Sequence, residues 1–221
     1  MIIESVWWGR TQYMDALVQM NQMQADVIAG KCPSTIIYTE HNPVITCGRN
    51  TPPNQIFSKS IPTVEVNRGG LATWHGPGQL IAYPVINLRK VTQNNIDLHG
   101  FLRNIELGII AFLSEQFSIR AKQRPQFTGV WIDTDAPVQR KIASIGISVR
   151  RFVTAHGLAL NINPSMEAFE NIIPCGLTGI QMTSVAQEIG TTTAATTSLD
   201  LEKLYPTLHQ SLLRTIIHND N

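Results

Sequence analysis

Apolar residues recur at helical spacing in three stretches and at strand spacing in several others. Tyr13, Leu17, Met20 and Val27 share one stripe of a helix predicted over 13–29, with Gly30 as its stop. Phe101, Ile105, Phe112 and Leu113 are in phase over 96–117, and a last helix is predicted over 199–217. Strand runs fit 35–39, 63–67, 80–86, 129–132, 141–150 and 152–161, and the first residues read as an opening strand. Helices separated by several strands with hairpin-like connections predict a mixed sheet flanked by helices, an α+β fold, not a regular βαβ alternation. No internal repeat and no linker-like stretch interrupts the chain, so residues 1–221 read as one domain. The threonine-rich stretch 191–197 is expected to be a loop before the last helix.

Between the runs 63–67 and 80–86 the pattern breaks into Arg68-Gly69-Gly70-Leu71-Ala72-Thr73-Trp74-His75-Gly76-Pro77-Gly78-Gln79. Glycine is costly inside a strand unless the backbone needs a positive φ or another group must approach closely. The run therefore reads as backbone shaped around something, or, if it stood alone, as two tight hairpin turns. It matches neither the phosphate-binding loop nor the dinucleotide pattern, because no Gly-Lys-Ser/Thr follows it and no GxGxxG opens a helix. Exposed N–H groups in such a run, or near Gly176, would suit a developing oxyanion.

Composition narrows the classes. A net charge of +1 gives no sign of a nucleic-acid partner, and 43% apolar with 15% charged residues fits a globular chain. No apolar run approaches the roughly 20 residues that span a bilayer. Glu4 comes early and no basic region precedes an apolar one, so the start does not read as a signal peptide. Cys32, Cys47 and Cys175 are an odd number with no CxxC, which favours neither a disulfide framework nor a zinc site. A cytosolic chain is expected. No HxxxH or HxH spacing suggests a metal, and no cofactor is expected.

Cys175 lies between Pro174 and Gly176, neighbours that fix the backbone and remove bulk beside the sulfur. Attack by a thiol needs such access and a lowered pKa, since the thiolate is the nucleophile. Lys141 is the candidate cation. Strict alternation places it on the face of Ala143, Ile145, Ile147 and Val149, with Ser144, Gly146 and Ser148 on the other. Lysine is rarely buried without a partner, desolvation lowers its pKa, and the ammonium favours a nearby thiolate. The alternative is that Lys141 starts the strand and snorkels to solvent. His75 and His156 are more often hydrogen-bonded structural residues than catalytic ones.

Taken together these segments resemble the octanoyltransferases of lipoate biosynthesis, the lipoate-protein ligase B family. The matching pieces are His41-Asn42-Pro43-Val44 with Gly48-Arg49, Arg68-Gly69-Gly70 with Thr73-x-His75-Gly76-Pro77-Gly78-Gln79-Leu80, Tyr83-Pro84, and Gly129-Val130-Trp131. They continue through Lys141-Ile142-Ala143, Ile145-Gly146, His156-Gly157-Leu158-Ala159-Leu160-Asn161, Pro174-Cys175-Gly176 and Thr183-Ser184. Leu71 stands where the family usually has a polar residue, Trp74 where tyrosine is usual, and Thr128 where proline is common; the first two bear on pocket lining and chain length.

The resemblance implies the fold of the biotin and lipoate protein ligases. It implies transfer of an octanoyl group from octanoyl-acyl carrier protein to a lysine of a lipoyl domain, in 2-oxo acid dehydrogenase complexes or the glycine-cleavage H protein. The catalytic pair falls on Cys175, as acyl-thioester nucleophile, and Lys141, which lowers its pKa. Substrate-binding positions fall on Arg68, Gly69, Gly70, Leu71, Ala72, Thr73, Trp74 and His75, on Ser144, Ile145 and Gly146, and on His156, Gly157 and Leu158. Arg120, Lys122, Arg124, Arg140, Arg150 and Arg151 are candidates for steering acidic partners. The rival readings are an ATP-dependent lipoate or biotin ligase on the same scaffold, and a silent acyl- or carrier-binding protein.

Overall fold

A computed structural model describes residues 2–92, 96–132, 135, 137–176, 179–190 and 199–217, and of Cys175 the backbone alone. The stretch 191–197 lies outside the described residues. The main sheet runs in the order β1 (Glu4–Thr11), β2 (Thr35–His41), β6 (Gln79–Val85), β10 (Val153–Asn161), β9 (Gln139–Arg150), β8 (Phe127–Ile132), β7 (Lys122–Arg124), and β11 (Ile180–Met182) adds to β9. β1 pairs β2 in parallel and β11 pairs β9 in parallel, whereas the rest of the sheet is antiparallel. A smaller sheet, β4 (Thr63–Glu65), β3 (Val44–Cys47), β5 (Thr73–His75), lies beside it.

Both faces of the main sheet are covered, which is why β6 and β10 are buried along their whole lengths. On one face, α3 (Leu98–Phe117) supplies Phe101, Ile105, Ile109 and Phe112, and α5 (Leu201–Ile217) supplies Leu204, Leu208, Leu212 and Ile216. These pack on Leu80, Ala82, Val130, Ile132, Leu158 and Leu160. On the opposite face, Met20 and Val27 of α1 (Tyr13–Ile28) pack on Ile81, Tyr83, Val85, Ala155 and Ala159. The alternation along β6 thus feeds two separate cores.

The helix predicted over 96–117 starts at Leu98 because the Asp97 side chain accepts from the Gly100 N–H at 2.9 Å and caps the first turn. Ser118, at φ 56°, ends it. The last helix starts at Leu201, where the Asp200 side chain accepts from the Glu202 N–H at 3.0 Å. Two further short helices, α2 (Leu88–Val91) and α4 (Val185–Glu188), complete the α-helices among the described residues, and 3-10 turns lie at Pro53–Gln55, Met166–Asn171 and Pro174–Gly176.

The glycine-rich run does not simply join two strands, because β5 forms inside it and pairs antiparallel with β3, Val44 opposite His75. β3, β5, β7 and β11 were not expected from the sequence. Each is three or four residues long, too short to display a period.

Candidate active site

A narrow cleft opens on the α1 side of the sheet. Arg68, Gly70, Leu71, Thr73 and His75 line it from the glycine-rich run, Ser144, Ile145 and Gly146 from β9, and His156, Gly157 and Leu158 from β10. Three segments far apart in sequence therefore meet at one wall. Gly146 and Gly157 face each other across the β9–β10 ladder. A Cβ on Gly157 would sit 2.0 Å from the Ala82 carbonyl oxygen, and one on Gly146 would sit 2.6 Å from that of Gly69. Glycine here permits backbone to approach backbone.

Gly69, Ala72 and Trp74 do not line the cleft. Gly69 donates its N–H to Ile147 O at 3.0 Å and docks the run on β9. Ala72 and Trp74 alternate away from Leu71, Thr73 and His75 into a separate apolar cluster with Ile45, Cys47, Phe169 and Ile172. Trp74 makes an edge contact with Phe169 at 5.3 Å, so its identity does not shape the cleft wall. Tyr13, Tyr83 and Ala159, absent from the expected set, complete the lining. Behind them His41 Nε2 and the Tyr83 hydroxyl are 2.7 Å apart, and His41 Nδ1 and the Thr11 hydroxyl 3.1 Å. The apolar stripe of α1 hid Tyr13's role, since a helix stripe does not say which residue ends at a cleft.

Arg68 turns inward and braces its own loop. Its guanidinium donates to the carbonyls of Gly69 and Leu71, each at 3.0 Å, to Thr46 O at 2.9 Å and to Thr46 Oγ1 at 2.7 Å. The cleft histidines are neutral at pH 7. Burial above all, then the neighbouring His41 and Arg68, pushes His75 well below the usual range. Burial, reinforced by Arg68, brings His156 down to about 4, and burial brings His41 down to about 4. His75 Nδ1 lies 3.1 Å from Gln79 Oε1. Burial likewise raises the Cys47 thiol, as expected for an inert cysteine.

Lys141 is 3% exposed and does not snorkel. Its face, however, differs from that given by strict alternation. Val130 pairs with Ala143 but Trp131 with Lys141, so β9 holds one extra residue at this point. Val130 and Ile132 belong to the core under α3 and α5, as does Ala143. Trp131 and Lys141 consequently point to the other face. The Lys141 Nζ lies 5.0 Å from the Trp131 ring centre and donates to Thr128 O at 3.0 Å. Gly129, at φ 132°, makes room, since a Cβ there would lie 2.5 Å from Lys141 Cε.

Pro174–Gly176 forms a single 3-10 turn. The Cys175 side chain lies outside the described residues. Gly176, at φ 68°, packs so closely on Leu71 that a Cβ would lie 2.3 Å from Leu71 Cδ1. Its N–H donates to Ile173 O at 3.1 Å and is spent within the turn, which argues against the expected oxyanion role for this group. After the turn the chain returns to β9, pairing Met182 with Lys141 and donating from Thr183 N to Lys141 O at 3.0 Å. The turn that carries Cys175 is thereby tied to the cleft through Leu71 and to the Lys141 backbone through β11.

Of the basic residues expected to face partners, Lys122 pairs with Asp135 at 2.8 Å and Arg140 with Glu188 at 2.8 Å, while Arg124 lies over the Phe127 ring. Arg120, Arg150 and Arg151 are exposed. Among the described residues no group of three or more His, Cys, Asp or Glu is placed to hold a metal, and no helix is long and apolar enough to cross a membrane.

A family model described as the lipoyl protein ligase A/B catalytic domain matches residues 12–212. An octanoyltransferase of Cutibacterium acnes is 41% identical over 81% of this chain and 65% of its own length. One of Geobacter metallireducens is 41% identical over 82% of this chain and 81% of its own. The chain spans about two thirds of the first relative and four fifths of the second. Among solved structures, P. falciparum LipL1 in complex with lipoate superposes with a TM-score of 0.68 at 14% identity, covering 100% of this chain and 64% of that one. A biotin protein ligase from Aquifex aeolicus gives 0.52 at 12% identity, covering 97% of this chain and 69% of that one. At such identities the likeness shows a shared fold.

Proposed function

The chain belongs to the lipoyl protein ligase A/B catalytic-domain family, and from that membership we propose a two-step acyl transfer at the cleft with Cys175 as nucleophile. It is an acyltransferase that moves an octanoyl group in protein lipoylation. In the first step the Cys175 thiolate attacks the thioester carbon of octanoyl-acyl carrier protein. A new carbon–sulfur bond forms, the carrier's carbon–sulfur bond breaks, and the carrier leaves as a thiol with the proton of the Lys141 ammonium. In the second step the amine of a lipoyl-domain lysine attacks the acyl-enzyme, an amide forms, and the Cys175 sulfur is released. The amine loses one proton to Lys141, left as a neutral amine by the first step, and the ammonium is thereby restored beside the released thiolate. Covalent catalysis of this kind splits one slow aminolysis into two easier exchanges.

The observation that carries this reading is the convergence of the three glycine-bearing segments on a cleft whose wall residue Leu71 touches Gly176, the neighbour of Cys175. The cleft walls suit an alkyl chain, being largely apolar with neutral imidazoles. Lys141, buried on the cleft side of the sheet, supplies the cation that holds the thiolate. Residues 1–221 act as one catalytic unit in a cytoplasmic setting, in keeping with the free thiols of Cys32 and Cys47.

Intact-mass spectrometry after incubation with octanoyl-acyl carrier protein is the test. Wild type is expected to gain one octanoyl mass and Cys175→Ser none. An adduct that survives in Cys175→Ser refutes the assignment. ATP–pyrophosphate exchange, expected to be absent, separates this reading from an ATP-dependent ligase.

A further inference from the structure

Glu106 of α3 is 0% exposed, a carboxylate fully removed from water. Burying a charge is unfavourable unless its lone pairs are met. One oxygen, Oε2, accepts from Arg103 Nη1 at 2.6 Å. The other, Oε1, accepts from the backbone N–H of Gly129 at 2.7 Å. The carbonyl of that same peptide unit, Thr128 O, accepts from Lys141 Nζ at 3.0 Å. One amide group therefore stands between a carboxylate and an ammonium, with its N–H toward the first and its C=O toward the second.

We infer that Glu106 is a positioning residue for Lys141, acting through the Thr128–Gly129 peptide. A carboxylate on the N–H polarises the amide and enriches its carbonyl oxygen in electron density, which strengthens the bond that oxygen accepts. The carboxylate also fixes the direction of the peptide. Gly129, at φ 132°, allows that orientation and leaves space for the lysine side chain. Arg103 in turn braces the loop, donating to Arg124 O at 3.2 Å and to Pro125 O at 2.7 Å. Charged groups on the elements around Lys141 include Arg103 and Glu106 of α3, Lys122 of β7, which pairs across the ladder with Trp131 and by charge with Asp135 at 2.8 Å, Arg124 of β7, whose guanidinium lies 4.8 Å from the Trp131 ring centre, and Arg140 beside Lys141 on β9, paired with Glu188 of α4. Glu106 is the one among them that reaches the peptide holding the ammonium.

This rests on the reading of Cys175 and Lys141 as a pair, and the experiment separates the two. The rate of Cys175 alkylation by iodoacetamide, assigned by peptide mass, is measured against pH in wild type, Lys141→Ala, Glu106→Gln and Arg103→Gln, with urea unfolding of each. Glu106→Gln keeps the shape and an oxygen for the Gly129 N–H but removes the charge. It is expected to move the alkylation midpoint upward, in the direction of Lys141→Ala but less far, and to slow acyl-enzyme formation about three- to tenfold. Arg103→Gln leaves the carboxylate in place and is expected to cost stability without raising the midpoint. A wild-type midpoint in Glu106→Gln beside a shifted Lys141→Ala overturns the role of Glu106 alone. Midpoints that follow stability in both variants overturn it as well. A Lys141→Ala profile identical to wild type removes the pair, and this inference with it.

Discussion

Acidification from pH 7 to pH 5 is expected to destabilise the fold through histidines that are buried in the neutral form around the cleft. His41 and His156 are each lowered from 6.5 to about 4, and burial lowers His75 well below the usual range. A lowered folded pKa means that the unfolded chain binds the proton more tightly. The stability is then complete above about 6.5 and is lost as pH falls toward 4. For a group at 6.5 unfolded and about 4 folded, the loss between pH 7 and 5 is roughly 2 kcal/mol. His41 and His156 together contribute roughly 4 kcal/mol, a large share of an ordinary stability of about 5–15 kcal/mol. His156 occupies a left-handed conformation at φ 57°, which asparagine tolerates better than most residues. The substitution His156→Asn therefore removes one titration while keeping the backbone. Urea unfolding at pH 5, 6, 7 and 8 reads the effect: wild type should lose roughly 4 kcal/mol or more across the lower range, and His156→Asn roughly 2 kcal/mol less than that. A wild-type stability that is flat or rises between pH 7 and 5 refutes the reasoning.

Two further outcomes follow from close contacts. Gly176→Ala, which places a Cβ on Leu71 Cδ1 and forces alanine to φ 68°, should slow single-turnover acyl-enzyme formation at least tenfold. Leu71→Ala added to it should recover part of the loss, because it relieves the clash and leaves the backbone cost; no recovery would show that the contact is irrelevant. Trp74 Nε1 is buried without a hydrogen-bond acceptor among the described residues, so Trp74→Phe should stay within about 1 kcal/mol of wild type in urea unfolding despite the lost volume. A loss above about 2 kcal/mol would mean that the indole N–H has a partner after all.

The residue types that carry the chemistry were legible, whereas the directions in which they point were not. Apolar periodicity placed the three long helices within two residues, and the remaining differences at their starts come from the side-chain caps Asp97 and Asp200. Pro174 and Gly176 were read as fixing the backbone beside Cys175, and the form it takes, a 3-10 turn, was not foreseen. At two places the side-chain directions escaped the local pattern for one physical reason. Within the glycine-rich run a three-residue strand sorts Leu71, Thr73 and His75 into the cleft and Ala72 and Trp74 away from it. Nothing local foretells that strand, whose partner β3 lies some thirty residues earlier. In β9 the extra residue beside Lys141 reverses the face of everything before it. Its cause is the register with the preceding strand, β8, a pairing that β9's own sequence does not encode.

That reversal is what makes the site workable. On the face given by strict alternation, Lys141 would lie with Ala143 and Leu160 in the apolar core under α3 and α5, where an unpaired ammonium is costly. On the face it occupies, it meets the Trp131 ring and the Thr128 carbonyl, and its own backbone holds the strand that returns from the turn of Cys175. Glu106 escaped notice for the complementary reason. It sits beside Ile105 in a helix read for its apolar stripe, and a carboxylate there looks solvent-facing until α3 is set against β8. The charge that a helix pattern discards as surface is thus placed against a peptide whose carbonyl accepts from the lysine.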